Sequence, residues 1–540
     1  MPAPPEAPNP DAAAAPTEPG TLRALVVDDG RDDAERAALI CDDETLTHGA
    51  LRARVAAVAR ALLAAGVRAG DRVAILLPNG AAFLEAFFGT TAIGAIAVPL
   101  NTRLHPTEHA ALLQDCTPVV LVADAAYGAS IAAVRASVGA VRTFVTAGPP
   151  GASPGPDVDA GSGAGDAVVH RFAAWRDAHA GPLPAAAIAP DQPASILYTS
   201  GTTSQPKGVV LSHGNYHADI AHVAAEAGAD RNSVNLQISP LYHAACVHTL
   251  AHLAAGGTTV LPQRYDADAA LAAIARHRVT YLFAVPTVLY ELLDHPGFGH
   301  HDLRSLRRIA YGAAAISGPR LEQALRAFGP ILMHAYGLTE TSSHASVLRP
   351  DEHLHWAGSI GRGLPGVALR VVDDAGCDVA PGGIGEILVR GPNVMTGYWG
   401  RPQETAAVLR DGWLHTGDLA RIDADGYLFV VDRIKDLVIS GGVNVYPRES
   451  EHVLAGHPAV ADVAVFGVPD PHWGEALAAA VVLRPGQAAD AQTLLAFART
   501  RLGAFKLPKR VHFLDQLPKT ASGKVRKADL RARFQTSPSP

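Results

Sequence analysis

The sequence predicts a layered α/β fold. Short apolar runs of strand length alternate with longer stretches whose apolar residues recur at helical spacing. At 540 residues, with 48% hydrophobic and 18% charged side chains, the chain reads as globular and exceeds what one core usually serves, so at least two domains are expected.

Residues 1–20 are rich in Pro and Ala, carry three acids and no Lys or Arg, and read as a disordered leader without the basic start of a secretory signal. From Leu46 to Ala65 the pattern is helical and stops at Gly66; Asp71 to Leu77 reads as the next strand, ending at Pro78-Asn79-Gly80. The alternation continues through Ala81 to Gly94, Ile96 to Leu100, Glu108 to Asp115 and Pro118 to Ala123. Between Gly148 and Asp166 the composition turns to Gly, Ala, Pro, Ser and Asp, which reads as an exposed flexible loop.

Composition also excludes function classes. The 45 Lys and Arg against 52 Asp and Glu give a net charge of -7 with both signs dispersed, so no basic face for nucleic acid is visible. No apolar run approaches the roughly 20 residues that an integral membrane segment needs. The 4 cysteines are scattered without metal-ligand spacing, which makes a disulfide framework unlikely and fits a reducing cytoplasm.

The most informative stretch follows the strand Ala194 to Leu197 and reads YTSGTTSQPKGV, from Tyr198 to Val209. Thr199, Ser200, Thr202, Thr203 and Ser204 bring hydroxyl donors together around Gly201, where the backbone can bend closely, and Lys207 adds a positive charge. Such a loop suits phosphate oxygens. It is not the common nucleotide loop, because Pro206 precedes the lysine and Gly208 follows it. A solvated polar turn is the plain alternative.

Further stretches follow in order. A strand from Asn235 to Ser239 leads into PLYHAAC, ending at Cys246; a strand from Thr280 to Val285 precedes IAYGAAAIS, from Ile309 to Ser317. MHAYGLTET runs from Met333 to Thr341, GEILVRGPNVMTGY from Gly385 to Tyr398, and WLHTGDL from Trp413 to Leu419. A strand from Tyr427 to Val431 leads into DRIKD, then Ser440-Gly441-Gly442, and LPKTASGKVRK runs from Leu517 to Lys527.

In this order, over roughly Thr45 to Arg526, these motifs resemble those of the adenylate-forming superfamily, which contains acyl-CoA ligases, peptide-synthetase adenylation domains and beetle luciferases. Ser204 departs from the pattern, which usually has Gly there. The resemblance implies a large N-terminal domain of layered α/β subdomains over residues 21–434, a small mobile α+β C-terminal domain over residues 435–534 turning about a hinge at Lys435, and a tail over residues 535–540.

The same resemblance implies the site. ATP phosphates would meet Thr199, Ser200, Gly201, Thr202, Thr203 and Lys207; Gly312 and Ala313 would run along adenine and the acyl group. Tyr336 would stack on adenine, Thr339 donate to the α-phosphate, Glu340 hold Mg²⁺, and Asp418 accept both ribose hydroxyls with help from Arg433. The residue types suit these tasks: an aromatic face fits a purine, and Mg²⁺ prefers a carboxylate plus substrate phosphates. Gly441 and Gly442 would let the pantetheine arm of CoA pass, and Lys524 would bridge the substrate carboxylate and the α-phosphate.

Tyr242-His243 matches an aromatic-His pair beside the carboxylate pocket. Amino-acid-activating relatives carry an aspartate at the His243 position, so its absence implies a free carboxylic acid without an α-amino group. Tyr311 is expected to narrow the acyl channel, and Cys246 stands where Gly is common. The implied activity is an AMP-forming carboxylic acid:CoA ligase using ATP, Mg²⁺ and CoA on a fatty or aryl acid. Loading of a carrier protein and a luciferase-like oxygenation are the alternatives, and a homodimer is compatible with each.

Overall fold

The computed structural model describes residues 20–26, 33–42, 44–148, 168–199, 206–314, 316, 318–440, 443–470, 473–520 and 524–534. The hydroxyl-rich segment 200–205 and the pair Gly441-Gly442 lie outside the described residues, as do the expected leader over residues 1–19, most of the Gly/Pro-rich loop and the tail.

The alternation read from the N-terminal half builds one sheet. The helix expected from Leu46 runs His48–Ala64, because Thr47 takes an extended conformation and its side chain accepts the Ala50 N–H, capping the first turn. Strands Arg72–Leu76, Ile96–Pro99 and Val120–Asp124 then pair in parallel, with Thr143–Ala147 and Val168–Arg171 continuing outward. On the other side lies an antiparallel hairpin, β1 (Pro193–Thr199) and β2 (Lys207–Ser212), whose second strand also pairs with Gly397–Tyr398. The stretch read as a phosphate loop therefore starts on β1 and ends on β2, two paired strands.

Helix α1 (His213–Ala227) begins directly after β2, with Ser212 and Asn215 forming a reciprocal cap. A short 3₁₀ turn, Ala244–Cys246, leads into α2 (Val247–Ala254). Strands β3 (Tyr281–Ala284), β4 (Arg308–Gly312) and β5 (Leu332–Tyr336) are parallel neighbours in a second sheet, and β6 (Ser346–Leu348) returns antiparallel to β5.

Strand alternation divides this second sheet's side chains between two cores. Tyr281, Phe283, Ala310 and Met333 join the core shared with α1, α2 and the first sheet, whereas Leu282, Ala284, Ile309, Tyr311 and Leu332 face the opposite core. This corrects the expectation for Tyr311. It is fully buried on the face away from α1 and α2, its hydroxyl shares a hydrogen bond with His353 Nε2 at 3.1 Å, and its ring stacks on His334 at 4.6 Å. A side chain so engaged does not narrow a channel on the other face.

A third, antiparallel sheet includes β7 (Trp413–Ile422) and β8 (Leu428–Arg433). After the 3₁₀ turn Ile434–Asp436 comes a smaller unit with its own sheet, dominated by the hairpin Val460–Asp470 and Gly474–Leu483, and its own two apolar cores. Polar ties hold it to β8 and the turn: Arg448 N–H donates to Asp432 Oδ2 at 3.0 Å, and Arg531 pairs with Asp436 at 2.8 Å. A large N-terminal domain and a small C-terminal one, as the resemblance implies, are thus both present.

The shared core contains one carboxylate whose removal should be felt. Glu85, 1% exposed in the helix Ala81–Thr91, pairs with Arg54 at 3.2 Å and Arg176 at 2.8 Å. Deleting it strips the buried partner from two guanidiniums, which keep only the more exposed Glu44, 2.6 Å from Arg54, and Asp177, 2.7 Å from Arg176. Glu85→Leu should lower the unfolding free energy by about 3 kcal/mol in a urea titration, whereas Leu63→Ala, on an exposed position of the helix His48–Ala64, should change it little.

Candidate active site

The site assembles at the ends of β4 and β5 because the backbone there tolerates close approach. A Cβ on Gly312 would lie 2.2 Å from the Ala335 carbonyl oxygen, and one on Gly337 would lie 1.9 Å from that of Ser343. Ala313, just after β4, sits at φ +64° and is exposed, a conformation that a residue with a Cβ rarely adopts and that turns the chain sharply at the sheet edge. Tyr336 ends β5, and the short turn Thr339–Thr341 presents Thr339 and Glu340. The C-terminal ends of parallel strands form the kind of crevice where α/β sheets bind ligands.

Two polar networks fix the side chains. In the first, the Tyr336 hydroxyl donates to Asp418 Oδ2 at 2.8 Å, and Arg433 Nε pairs with Asp418 Oδ1 at 2.9 Å. Asp418 is 4% exposed, and each of its oxygens retains a lone pair beyond these contacts. Asp418 and Arg433 face each other in the register of β7 and β8, so the pairing is imposed by the hairpin.

In the second network, the Tyr398 hydroxyl donates to Glu340 Oε1 at 2.9 Å, and the Met395 N–H donates to the Glu340 carbonyl at 2.8 Å. Lys207 Nζ pairs with Glu404 at 2.9 Å and stands 5.0 Å from the centroid of the Tyr398 ring. Thr199 lies opposite Lys207 in the β1–β2 register. Tyr398 thus links the lysine of one motif to the carboxylate of another. Sequence reasoning missed this residue, although it ends the quoted stretch from Gly385; its pairing beside β2 was the signal that only the sheet supplies.

Lys524 comes from the small unit and closes the arrangement. Its N–H donates to Thr520 Oγ1 at 3.1 Å and its carbonyl accepts from the Thr520 N–H at 2.7 Å, two bonds that hold its backbone to that of Thr520. The side chain is accessible to solvent yet surrounded by protein, as in a cleft. Desolvation there and the nearby Arg433 guanidinium lower its pKa from the ordinary lysine value, with Lys435 acting the same way and Asp418 and Glu340 opposing. Lys435, in the turn after β8, is likewise lowered, chiefly by desolvation.

His243 lies in the same neighbourhood. Its ring packs 4.6 Å from that of Tyr242. Burial, then the charges of Lys524 and Arg103, hold its pKa down to about 4, so the imidazole is neutral at pH 7. Its Nε2 has no hydrogen-bond partner among the described residues. The structure therefore gathers Tyr336, Glu340, Asp418, Arg433, Lys435, Lys524 and His243 around one cleft, with Lys207 joined to it through Tyr398. Ser200, Gly201, Thr202, Thr203, Gly441 and Gly442 lie outside the described residues.

Among the described residues no group of three or more His, Cys, Asp or Glu side chains could hold a metal ion. Glu340 fits a different kind of site, in which Mg²⁺ takes one carboxylate and completes its shell with substrate phosphates and water. No described helix is long and apolar enough to cross a membrane.

Comparison with known proteins agrees with this geometry. Residues 28–399 match the family described as AMP-binding enzyme, and residues 449–524 match the AMP-binding enzyme C-terminal domain. The chain is similar to a feruloyl-CoA synthase of Amycolatopsis sp, 41% identical over 91% of this chain and 94% of that protein. It is also similar to an indoleacetate--CoA ligase of Aromatoleum aromaticum, 40% identical over 92% of this chain and 94% of the relative. Among solved structures it resembles the amide bond synthetase McbA from Marinactinospora thermotolerans, with a TM-score of 0.84 and 34% identity over 95% of this chain and 99% of that one. On the matched length, the order of motifs and the shared fold, the chain belongs to the AMP-binding enzyme family, the adenylate-forming enzymes.

Proposed function

We propose that this protein is an ATP-dependent, AMP-forming carboxylic acid:CoA ligase acting on a fatty or aryl acid in the cytoplasm. The observation that carries the reading is the position of Lys524: a lysine from the small C-terminal domain stands within electrostatic range of Glu340, Asp418 and His243 on the large one.

The first half-reaction joins two anions, so charge neutralisation rather than base catalysis is the problem. A carboxylic acid is already ionised at neutral pH. One carboxylate oxygen attacks the α-phosphorus of ATP, the bond from that phosphorus to the bridging oxygen breaks, and pyrophosphate leaves with the electron pair. Lys524 offers the ammonium that offsets charge at the carboxylate and the α-phosphate, and Lys207 does so at the departing phosphates. Thr339, in the turn beside Glu340, supplies a hydroxyl donor for the α-phosphate. Mg²⁺ bound at Glu340 would neutralise the phosphate oxygens. Tyr336 offers its face to adenine while its hydroxyl and Arg433 hold Asp418 in place for the ribose hydroxyls. Neutral His243 borders the acid's carboxylate without adding charge.

In the second half-reaction the CoA sulfur attacks the acyl carbon, AMP leaves, and the thiol proton passes to solvent. With Lys524 in the cleft, the thiol needs a different arrangement of the small domain. We assign the pivot to Lys435, placing the boundary between residues 434 and 435; the 3₁₀ turn Ile434–Asp436 between β8 and the small sheet supports this.

Pyrophosphate release and thioester formation measured against a panel of carboxylic acids, with and without CoA, test the reading. Multiple turnover only with CoA is the expected outcome; a stoichiometric burst that CoA leaves unchanged would replace it with another acceptor.

Lys524→Ala should reduce adenylate formation by at least about a hundredfold, the order of loss for a charge-stabilising group, while thioester formation from supplied acyl-adenylate continues. Because its pKa is lowered, the adenylation rate of the intact enzyme should fall with rising pH below the ordinary lysine range, and that limb should vanish in the variant. Lys435→Pro should retain adenylate formation and lose thioester formation; equal loss of both steps, read in single-turnover assays, would refute the pivot.

A further inference from the structure

The lysine that faces the departing phosphates has a carboxylate for a neighbour. Lys207, the first residue of β2, pairs through Nζ with Glu404 Oε2 at 2.9 Å, and its ammonium stands 5.0 Å from the centroid of the Tyr398 ring. Glu404 belongs to the helix Pro402–Val408, outside every stretch that carries a motif. A negative charge beside a triphosphate site works against ATP binding, so its place there calls for a reason.

The contact is built into the backbone around it. Thr396 N–H donates to the Val210 carbonyl at 3.1 Å and Trp399 N–H to that of Gly208 at 2.8 Å, so the segment before the helix is laced to the strand that carries Lys207. Tyr398 N–H donates to Thr405 Oγ1 at 2.9 Å, and that hydroxyl donates to the Arg401 carbonyl at 2.8 Å; both bonds fix the first turn of the helix, where Glu404 sits. Arg401 is anchored in turn, because its Nη2 donates to Asp115 Oδ1 at 2.9 Å and the other oxygen of Asp115 accepts from the Tyr198 hydroxyl at 2.6 Å.

Three features make the pair exchangeable. The side chains of Lys207 and Glu404 are 21% and 41% exposed, and an ion pair so open to water is weak. Glu404 also has a second cation at hand, since Arg401 Nε lies 3.8 Å from Oε1, so the carboxylate is not left alone when the lysine turns away. Finally, a carboxylate and a phosphate oxygen on one ammonium would stand within roughly 5 Å of each other, where like charges repel. The anion with more charge displaces the other. Tyr398 keeps its place throughout: burial and the charge of Glu340 raise the pKa of its hydroxyl, which stays a donor to Glu340 while the ring faces the lysine.

We propose that Glu404 is a positioning residue that competes with the outer phosphates for Lys207, yielding the ammonium to the β- and γ-phosphates of ATP and taking it back as they depart together as pyrophosphate. The assignment rests on the adenylation reading. Recapture of the lysine weakens the hold on pyrophosphate, so Glu404 favours release of that product and moderates the affinity for ATP.

The test reads binding rather than turnover. Dissociation constants of MgATP and of magnesium pyrophosphate are measured by titration calorimetry on the full chain, without acid or CoA. Glu404→Gln, which keeps the shape and removes the charge, should tighten both ligands by about two- to fivefold, the scale of one partly exposed ion pair; Glu404→Ala should do the same and decides the matter if the glutamine variant does not fold. A residue that only supports the fold, or only aims the lysine at ATP, gives no change or weaker binding, and either result in a folded variant overturns the inference. Lys207→Ala should weaken both ligands, and adding Glu404→Gln to it should change neither further. Tightening that persists without the lysine means that Glu404 acts on the phosphates directly, which overturns the exchange. Failure of MgATP to bind the intact chain would overturn the adenylation reading itself, and the exchange with it.

Discussion

Everything in this cleft is arranged around the meeting of like charges. A carboxylate and a triphosphate repel each other, and the chain answers with cations whose positions are fixed by neighbours. Arg433 is pinned to Asp418 across the β7–β8 hairpin. Lys207 is held by Glu404 and the Tyr398 ring. Lys524 is held by backbone hydrogen bonds with Thr520 in the small domain and is tuned by desolvation and by Arg433. A buried cation sheds its charge more readily than a solvated one, so the balance of Asp418 and Glu340 against Arg433 and Lys435 governs whether Lys524 can serve as an ammonium.

Carboxylates are shared between networks, and this couples parts of the chain far apart in sequence. Asp418 accepts from Tyr336 at the end of β5 while pairing with Arg433 next to the 3₁₀ turn Ile434–Asp436. Glu340 accepts from Tyr398, whose strand lies beside β2. The second sheet, the third sheet and the β1–β2 hairpin thus meet through two acidic side chains.

Much of this was legible in the sequence. The strand–helix alternation from Leu46 to Ala123 became the first sheet and its helices with boundaries shifted by up to three residues, since caps such as Thr47 decide where a helix begins. Gly312, Tyr336, Glu340, Asp418 and Lys524 could be named because their motifs combine residue types that a turn or a core does not need together. Tyr311 misled: in a strand the side chain's face depends on register, and a residue beside a site in sequence can point into the opposite core. Tyr398 escaped notice because a lone tyrosine after a glycine carries no signal until its strand is paired.

By itself the sequence determined the fold class, the order of the motifs and the chemistry of the cleft, because these follow from local periodicity and from which side chains carry charge or hydrogen-bond donors. Only the tertiary structure decided which charges stand close enough to shift one another and which face Tyr311 takes. It also decided that Glu404, far along the chain and outside every motif, lies against Lys207. Burial and electrostatic interaction depend on distances through space, and those are set by long-range pairing of strands and packing of helices rather than by neighbours along the chain.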